Sequence, residues 1–391
     1  MKRDSKIYVA GHQGLVGSAL VRRLEVEGYD NLILRTHTQL DLTKQHDVEA
    51  FFRDESPEYV FLAAAKVGGI WANNSYPAEF IYSNLAIQTN VLHAAWKEGI
   101  KRLLFLGSSC VYPRECPQPM REEYLLTGPM EPTNEPYAVA KIAGIIQCEA
   151  YNRQYGTRFI SVMPTNLYGP HDNFDLENSH VLPALIRKFH LAKSAENADW
   201  RGIEKDQAQY GMIPQDILEN LIAIAQSRGH EVSSFFQDKL QNSESFEGIT
   251  LWGSGNPRRE FLFVDDLADA CFFLMNLPDD QYDNLLFTLS NPKSPAQHSH
   301  QDKEQPSFKR TMPLINIGCG EDHTIRELAV IVAEVLNYKG DLLWDESKPD
   351  GFPQKLLDVS KLNRLGWKHK ISLKDGIHTT YNWYMGQLNS K

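Results

Sequence analysis

Tyr137 and Lys141 lie four residues apart in the stretch NEPYAVAKIAG. In a helix, residues four apart share a face, so the phenol and the ammonium would point into the same space. A nearby cation favours the phenolate and would lower the tyrosine pKa from its usual value of ~10 toward neutrality. Such a pair can act as a general acid and base. The alternative is a tyrosine on a half-buried helix beside a solvated lysine, and only the surrounding sequence can decide between the two.

A glycine-rich stretch, VAGHQGLVG, places Gly11, Gly14 and Gly17 between a predicted strand and a predicted helix. Glycines there permit a tight turn, close approach of the main chain to a pyrophosphate and close helix–sheet packing, while the helix N-terminus favours an anion. A purely structural turn is the alternative. Because the stretch opens the first strand–helix unit, we predict that it binds a dinucleotide.

The residues after the second predicted strand, LRTHTQLDL, bear on which dinucleotide is bound. An acidic residue there would hold the ribose diol of NAD, whereas arginine accommodates the 2′-phosphate of NADP. Arg35 and His37 precede any acid, and Asp41 lies further on. The order favours NADP(H). Asp41 and Leu42 are expected to contact the adenine or to begin the next helix.

These residues sit in a regular succession of elements. Short apolar runs alternate with helical patterns, which is typical of a parallel sheet with crossover helices. Strands are predicted at 6–11, 31–36, 59–65, 102–109 and 159–166, and helices at 15–28, 44–54, 79–98 and 136–155. The fold class is therefore α/β, with a doubly wound parallel (Rossmann) sheet. Residues 1–170, with returning segments near 250–290 and 312–320, would form the dinucleotide-binding domain, and residues 171–391 mainly a smaller α/β substrate domain.

Two polar segments interrupt the second half. Residues 194–249 contain IPQDILENLIAIAQ, whose apolar residues at 213, 217, 221 and 224 predict an amphipathic helix that packs on the substrate domain or on a partner subunit. Residues 290–313 are rich in Pro, Ser, Gln and Lys, and predict a mobile surface loop. A strand at PLINIG and helices over 324–337 and near 372–386 complete the chain.

The bulk composition excludes several classes of protein. A net charge of -10 without any run of Lys or Arg argues against a nucleic-acid or anionic-membrane partner. The five cysteines are an odd number with no C-x-x-C spacing, so neither a disulfide framework nor a metal site is expected. No apolar run reaches transmembrane length, and the N-terminus runs straight into a strand-like segment. We expect a cytoplasmic protein.

Further motifs, in chain order, resemble the extended short-chain dehydrogenase/reductase family: NLAIQTNVLHAA, GSSCVYP, MPTNLYGP and REFLFVDDLADA. Longer strings, among them EPTNEPYAVAKIAG, NSHVLPALIRKFH, WGSGNPRREF and SKPDGFPQKLLDVSKL, resemble the branch that makes GDP-L-fucose. The resemblance spans nearly the whole chain except the two polar segments. It implies epimerisation of GDP-4-keto-6-deoxy-D-mannose at C3 and C5, NADPH-dependent reduction at C4, and a homodimer.

The resemblance also assigns roles to the reductive residues. Tyr137 would protonate the C4 oxygen as hydride reaches C4, and Lys141 would lower the tyrosine pKa and hold the nicotinamide ribose. Ser108 would hydrogen-bond the same oxygen, with Ser109 as the alternative because a one-residue slip is the easiest error in transferring a motif. Cys110 and His180 would be the base and acid of epimerisation. Composition alone favours a small buried apolar residue and a loop histidine, and the surrounding strings GSSCVYP and NSHVLPAL reverse that preference.

The remaining contacts are carried over motif by motif. The resemblance implies cofactor contacts from Gly11, His12, Gln13, Gly14, Leu15, Val16, Gly17, Arg35, His37, Asp41, Leu42, Leu106, Gly107, Lys141, Pro164, Thr165, Asn166, Leu167 and His180. Lys188, Trp252, Arg259 and Asp350 would bind the GDP-sugar, with Lys188 and Arg259 on its phosphates. Trp252 could instead be core packing, and Asp350 could only cap a turn.

The sequence departs from the family pattern in places, and it leaves two alternative functions to consider. Gln13 and His37 stand where the family often has arginines, which weakens the NADP preference, and the 194–249 insertion is absent from shorter members. Another nucleotide-sugar epimerase or dehydratase is the first rival, but GSSCVYP lacks the acids that a dehydratase needs near the serine. A non-catalytic NADP-sensing module is the second, but it would be expected to lose Tyr137 or Lys141.

Overall fold

A computed structural model of the chain describes residues 1–233, 236, 248–287, 312–348 and 350–389. The strands are β1 (Ile7–Ala10), β2 (Leu32–Ile33), β3 (Tyr59–Leu62), β4 (Arg102–Leu106), β5 (Phe159–Pro164), β6 (Asn166–Tyr168), β7 (Gly248–Trp252), β8 (Arg258–Phe263), β9 (Leu314–Ile317), β10 (Asp322–Thr324), β11 (Asp341–Asp345) and β12 (Gln354–Lys355). The helices are α1 (Leu15–Val26), α2 (Gln45–Glu55), α3 (Ile70–Ser75), α4 (Pro77–Lys97), α5 (Glu135–Tyr155), α6 (Val181–Glu196), α7 (Trp200–Tyr210), α8 (Gln215–Ser227), α9 (Val264–Met275), α10 (Asp279–Leu286), α11 (Ile325–Leu336), α12 (Ser360–Arg364) and α13 (Leu373–Asn389).

The first sheet is parallel throughout and has the strand order β2-β1-β3-β4-β5-β9. Alternate residues of β1 point to opposite faces: Ile7 and Val9 pack with α1 and α9, whereas Tyr8 and Ala10 pack with α2, α4 and α5. Both faces are therefore covered by helices, as a parallel sheet requires. The predicted doubly wound sheet is confirmed.

β2 is shorter than predicted. Only Leu32 and Ile33 pair with β1, although the pattern extended to residue 36. The side chain of Gln39 accepts hydrogen bonds from the main-chain N–H and the hydroxyl of Thr36, at 2.9 and 3.1 Å. This local turn ends the strand early.

The second half forms a separate hydrophobic core around smaller sheets. β8 lies between β10 and β12 and also pairs with β6, while β7 pairs with β11. Helices α6, α7, α8, α11 and α13 supply the rest of that core. The division into two domains at residue 170 stays a prediction.

In the described part of the 194–249 insertion, helix α7 precedes the predicted helix. α8 is the predicted helix, and its apolar stripe is buried: Ile213 and Ile217 are 5% exposed, Leu221 0% and Ile224 1%. This stripe packs against α6 and β7. α7 was not predicted because its sequence, WRGIEKDQAQY, is mostly polar. The predicted loop at 290–313 lies almost entirely outside the described residues.

Arg187 ties α7 to α6. Its fully buried guanidinium donates to the Asp206 carboxylate at 2.8 Å and to the carbonyls of Phe174, Tyr210 and Gly211 at 3.1, 2.9 and 2.6 Å. Tyr384 of α13 donates to the other oxygen of Asp206. A buried charge needs such complete pairing, so the insertion is held rigidly to the substrate core.

Candidate active site

The predicted site residues meet at the carboxyl ends of neighbouring parallel strands. The glycine loop follows β1, Ser108 to Cys110 follow β4, and Thr165 follows β5. In open parallel sheets this edge is where ligands bind.

Tyr137 and Lys141 lie in the first two turns of α5, which begins at Glu135 with Pro136 in its first turn. Lys141 is 3% exposed, and its ammonium donates to the Leu106 carbonyl at 2.8 Å and lies 5.8 Å from the centre of the Tyr137 ring. Burial lowers the pKa of Lys141 to about 8. Burial and the nearby Cys110 raise the pKa of Tyr137, and the Ser108 hydroxyl only partly offsets this.

The expectation that the tyrosine pKa lies below its ordinary value is therefore wrong. Both groups lose hydration on burial, which disfavours the charged form of each, so the pKa of the phenol rises while that of the ammonium falls. Tyr137 is a phenol, ready to donate a proton.

Ser108, rather than Ser109, faces Tyr137. The Ser108 hydroxyl accepts from the Cys110 main-chain N–H at 3.3 Å, and its proximity to the Tyr137 phenol and the Cys110 thiol opposes the rise in the pKa of both groups. Ser109 is buried, and its carbonyl accepts from Tyr112. Ser108 thus connects the tyrosine to the cysteine.

Cys110 and His180 come from different elements, and the charge of Lys355 affects the pKa of both. Burial raises the pKa of the Cys110 thiol, while Ser108, Lys355 and Lys141 oppose that rise. His180 precedes α6 and reaches solvent, yet loss of hydration in the cleft, together with Lys355, lowers its pKa. One ammonium therefore acts on both groups.

Lys355 is a site residue that the sequence reasoning missed. Its pKa is lowered by burial and by Arg259, its register partner on β8, and is raised by Cys110. Its ammonium lies 5.0 Å from the centre of the Phe352 ring. The signal was available, since it lies in the motif SKPDGFPQKLLDVSKL, but a lysine in a two-residue strand has no periodicity that marks it as buried.

The glycine loop has steric reasons for two of its glycines. Gly11 has φ +81°, and a Cβ there would lie 2.8 Å from the Ala64 nitrogen. A Cβ on Gly17 would lie 2.0 Å from the Gly11 carbonyl oxygen, so α1 packs directly on the loop. Gly14, the residue before α1, is under no such constraint. The buried Nδ1 of His12 has no hydrogen-bond partner within the described part of the protein. The loop thus fits a dinucleotide: it brings bare main chain and an unused polar atom to a helix N-terminus.

Comparison with protein families supports this assignment. The model of the NAD dependent epimerase/dehydratase family matches residues 7–203 and 217–287. The chain belongs to this family.

Named relatives lie within the same family. The chain is 49% identical to GDP-L-fucose synthase 1 of Arabidopsis thaliana over 98% of its length and 94% of the relative's. It is 46% identical to GDP-L-fucose synthase of Escherichia coli, covering 97% of this chain and 96% of that one. A GDP-mannoheptose C4 reductase from Campylobacter jejuni, solved with NADP bound, is 37% identical with a TM-score of 0.74, covering 98% of this chain and 99% of that one.

Arg35, which was predicted to contact the 2′-phosphate of NADP, already has an acidic partner in the structure. The Arg35 guanidinium pairs with Glu55 at 2.5 Å and lies 5.8 Å from the centre of the Phe51 ring. A 2′-phosphate would therefore have to share or replace Glu55. The His37 side chain is 81% exposed and lies 4.0 Å from Asp41.

Asp41 and Leu42 precede α2. Asp41 accepts from the main-chain N–H and the hydroxyl of Thr43, at 3.0 and 2.7 Å, and these bonds lower its pKa. Leu42 is buried, and its carbonyl accepts from Asn90. Both residues thus make local contacts just before α2, as expected if they lead into that helix.

The segment from Pro164 to Leu167 is fixed by Glu260 of β8, another residue that the sequence reasoning missed. The Glu260 carbonyl accepts from Thr165 at 3.2 Å and from Asn166 at 2.8 Å. Its carboxylate is fully buried and accepts from the Gly320 and Leu357 N–H groups at 2.7 and 3.0 Å. Glu260 thereby joins the cofactor edge to the strand that carries Lys355.

Two of the predicted substrate residues lie together. Trp252 is 60% exposed, so core packing is wrong for it. The Lys188 ammonium lies 5.8 Å from the centre of its ring, and that of Lys348 lies 5.3 Å away. Burial lowers the pKa of Lys188. An exposed indole with two cations beside it can hold a base and its phosphates.

Arg259 of β8 contacts the turn before β12, and Asp350 lies in that turn. Arg259 donates to the Phe352 carbonyl at 2.5 Å, and burial lowers its pKa to about 10. Asp350 accepts from the main-chain N–H and the hydroxyl of Ser254, at 2.9 and 2.6 Å, which fixes the turn after β7. Its local role is therefore present, while its free face stays available to a ligand.

The residues that the structure describes contain no group of three or more His, Cys, Asp or Glu able to hold a metal ion. No helix in the same residues is long and apolar enough to cross a bilayer.

Proposed function

We propose that the protein converts GDP-4-keto-6-deoxy-D-mannose to GDP-L-fucose by epimerisation at C3 and C5 and NADPH-dependent reduction at C4. The observation that carries the proposal is that the Ser108 hydroxyl, which accepts from the Cys110 main-chain N–H at 3.3 Å, lies beside both the Tyr137 phenol and the Cys110 thiol and lowers the pKa of each. The tyrosine that would protonate the C4 oxygen and the cysteine that would remove carbon-bound protons therefore lie beside the same hydroxyl. The names of the relatives support the same reaction.

NADP(H) is held by this chain's own groups along the sheet edge. The loop from Gly11 to Gly17 would hold the pyrophosphate, Arg35 and His37 would bind the 2′-phosphate, and Asp41 and Leu42 would contact the adenine. Leu106, Gly107, Lys141, His180 and the segment from Pro164 to Leu167 line the nicotinamide half. The cofactor supplies a hydride to C4.

Reduction needs a proton for the C4 oxygen. Tyr137 donates it, since burial keeps the phenol protonated, and Ser108 holds the oxygen in place. Lys141 is already close to losing its own proton, so it can return one toward the phenolate that forms. The ammonium next to that phenolate also stabilises its charge.

Epimerisation uses the acidity of the protons beside the ketone. Cys110 removes a proton from C3 or C5, while Ser108 and Tyr137 stabilise the enolate oxygen. Lys355 and Lys141 favour the thiolate that this step needs. His180 returns a proton to the opposite face, and its contact with solvent lets it be reprotonated.

The nucleotide is held by the second half of the chain. Lys188 and Arg259 bind the diphosphate, Trp252 stacks on the base, and Asp350 accepts hydrogen bonds from it. Buried cations suit this task, since water that would compete for the phosphates is partly excluded.

A single reaction tests the proposal. Purified protein is mixed with NADPH and GDP-4-keto-6-deoxy-D-mannose in D₂O, absorbance at the nicotinamide band is followed, and the product sugar is analysed. The proposal expects NADPH consumption and GDP-L-fucose carrying deuterium at C3 and C5. Reduction without deuterium uptake would assign a C4 reductase instead, the activity named for the Campylobacter neighbour. Higher kcat/KM with NADH would overturn the cofactor choice.

We infer a cytoplasmic homodimer that associates through α4 and α5. These helices pack together and leave apolar side chains in solvent: Tyr82 is 69% exposed, Val139 42% and Tyr155 45%. Exposed apolar groups on a pair of packed helices are consistent with an association surface.

A further inference from the structure

The loop between β3 and α3 contacts the segment that carries His180. The Gly69 N–H, at the end of this loop, donates to the Asn178 carbonyl at 3.2 Å, and His180 follows two residues later, immediately before α6. A Cβ on Gly69 would lie 3.1 Å from that carbonyl oxygen and 3.5 Å from the carbonyl oxygen of Ser179. The two segments are therefore in close contact next to the residue that the proposed mechanism uses as an acid.

Asn73 of α3 holds the same loop. Its side chain is 7% exposed, and its amide nitrogen donates to the carbonyls of Gly68 and Gly69 at 2.8 and 2.9 Å. The Gly68 carbonyl and the Gly69 N–H belong to one peptide group. Because a peptide group is planar, fixing its C=O also fixes the direction of its N–H. Asn73 thus directs the hydrogen bond that reaches Asn178.

The turn that contains Asn178 is held by Asp175. The Asp175 carboxylate accepts from the main-chain N–H and the side-chain amide of Asn178, at 3.0 and 2.9 Å. The Asp175 carbonyl accepts from the Ser179 N–H at 2.8 Å, and the His180 carbonyl accepts from the Ala184 N–H at 3.1 Å. The chain is therefore hydrogen-bonded from the turn into α6, so a displacement of Asn178 is passed on to His180.

We propose that Gly69 and Asn73 are positioning residues for His180: the peptide group between Gly68 and Gly69, held by Asn73, sets where the turn before α6 lies against the parallel sheet. It thereby sets where the imidazole stands when it returns a proton to the sugar. This rests on the proposed function, because it takes His180 as the acid of epimerisation.

The competing explanation is that the loop supports Tyr137 instead. The Phe80 ring packs edge-on against the Tyr137 ring with centroids 6.3 Å apart, and a Cβ on Gly68 would lie 3.1 Å from Phe80. Disturbing the loop would then slow NADPH oxidation and leave the products unchanged. Displacing His180 has a different result, because a ketone that is not epimerised in time is reduced as it stands. The product then contains GDP-6-deoxyhexoses other than L-fucose.

The first test compares Gly69→Ala with Gly386→Ala in α13. Gly69 has φ −65° and ψ −178°, which alanine adopts without strain, so the added methyl acts only through its contact with the turn at Asn178. A Cβ on Gly386 meets nothing within 4 Å. Small displacements of a catalytic group are costly, so Gly69→Ala should raise the ratio of other GDP-6-deoxyhexoses to GDP-L-fucose about tenfold. Gly386→Ala should give the wild-type ratio.

The second test removes the hydrogen bonds instead of adding a contact. Asn73→Ala frees the Gly68 carbonyl and should change the product ratio in the same direction as Gly69→Ala. Its control is Asn152→Ala: Asn152 is 3% exposed, and its amide donates to the Phe159 carbonyl at 2.7 Å, at the amino end of β5 and away from the site. Asn152→Ala loses a comparable buried bond and should keep the wild-type ratio, even where thermal unfolding shows lower stability.

Products are separated by chromatography after complete NADPH oxidation, and initial rates are recorded beside them. A wild-type product ratio in Gly69→Ala, slower oxidation with unchanged products, or the same change of ratio in Asn152→Ala would overturn the inference. A wild-type protein that forms no GDP-L-fucose would count against the proposed function instead.

Discussion

Ser108 lies between Tyr137, which serves reduction, and Cys110, which serves epimerisation. Substituting either neighbour should therefore separate the two reactions. Cys110→Ser replaces a thiol by a hydroxyl, a far poorer base, and should slow deuterium exchange at C3 and C5 by about a hundredfold or more. NADPH oxidation should continue slowly on the unepimerised ketone and give a GDP-6-deoxyhexose other than L-fucose. Tyr137→Phe should do the reverse, losing NADPH oxidation while keeping part of the exchange, because Ser108 still stabilises the enolate oxygen. Parental exchange rates in Cys110→Ser would show that the base is another group.

Lys355 acts on both proton-transfer groups, and its removal should change their pH dependence in one direction. Without this cation the pKa of His180 rises, since the cation lowers it, and the pKa of Cys110 also rises. The pH optimum of C3/C5 exchange should therefore move up by about one unit in Lys355→Met. Lys374→Met, which removes a surface lysine paired with Glu334, is the control and should leave the optimum in place. A shift toward acid would contradict the assignment.

Lys141 should cost the protein stability below its own pKa. The folded pKa is about 8, below the ordinary 10.5, so the unfolded chain binds more protons between these values and stability rises with pH there. At pH 7 the penalty is complete, and Lys141→Met should be more stable than wild type, a gain reduced by the loss of the bond to Leu106. The difference between the two proteins should change by about 3 kcal/mol from pH 8 to 10.5, measured by urea unfolding. A difference that stays constant across that range would refute the depressed pKa.

The sequence predicts which residues form the site better than it predicts their protonation states. Tyr137, Lys141, Ser108 and Cys110 are predictable because one helical turn separates the first two on α5 and the other two directly follow β4. The pKa of Tyr137 could not be predicted, since it depends on how completely the folded chain excludes water. Lys355 was missed for a related reason: its burial comes from strands far away in the chain.

Among the elements, α7 and α8 depend on one buried arginine. Arg187→Met would leave Asp206 buried with only Tyr384 as a donor and three carbonyls unpaired, so it should cost about 3–5 kcal/mol of unfolding free energy. Arg228→Met, which removes an exposed pair with Glu196 beside the same helices, should cost less than about 1 kcal/mol. Chemical denaturation of both variants measures this, and equal costs would show that the buried network does not hold the insertion.

Long elements with clear periodicity were predictable, and short ones were not. α5 and α8 differ from their predicted bounds by one or two residues because apolar spacing and flanking prolines define them. β2 ended early at a side-chain turn, and α7 was missed because its polar sequence is held by Arg187 rather than by an apolar stripe. Both depend on single tertiary or side-chain contacts that a pattern does not contain.

For the whole molecule, the exposed face of α4 and α5 predicts the oligomeric state. Tyr82→Glu places a charge in the proposed interface and should weaken dimerisation at least about tenfold, since an unpaired charge there must lose its hydration. Val26→Glu, on an 80% exposed position of α1, is the matched control. Light scattering after size-exclusion chromatography measures both; a dimer unaffected by Tyr82→Glu would place the interface elsewhere.

Glu260 has a consequence for how the enzyme is made. Its carbonyl holds Thr165 and Asn166, and its carboxylate holds Gly320 and Leu357. A ribosome delivers the chain from the N-terminus onward, so the glycine loop and Tyr137 emerge long before Leu357 does. Until that residue is released, the Glu260 carboxylate lacks one of its two main-chain donors, and β12, which carries Lys355, cannot be fixed beside β8. The first catalytic residues to be synthesised must therefore wait for nearly the last ones before the site exists.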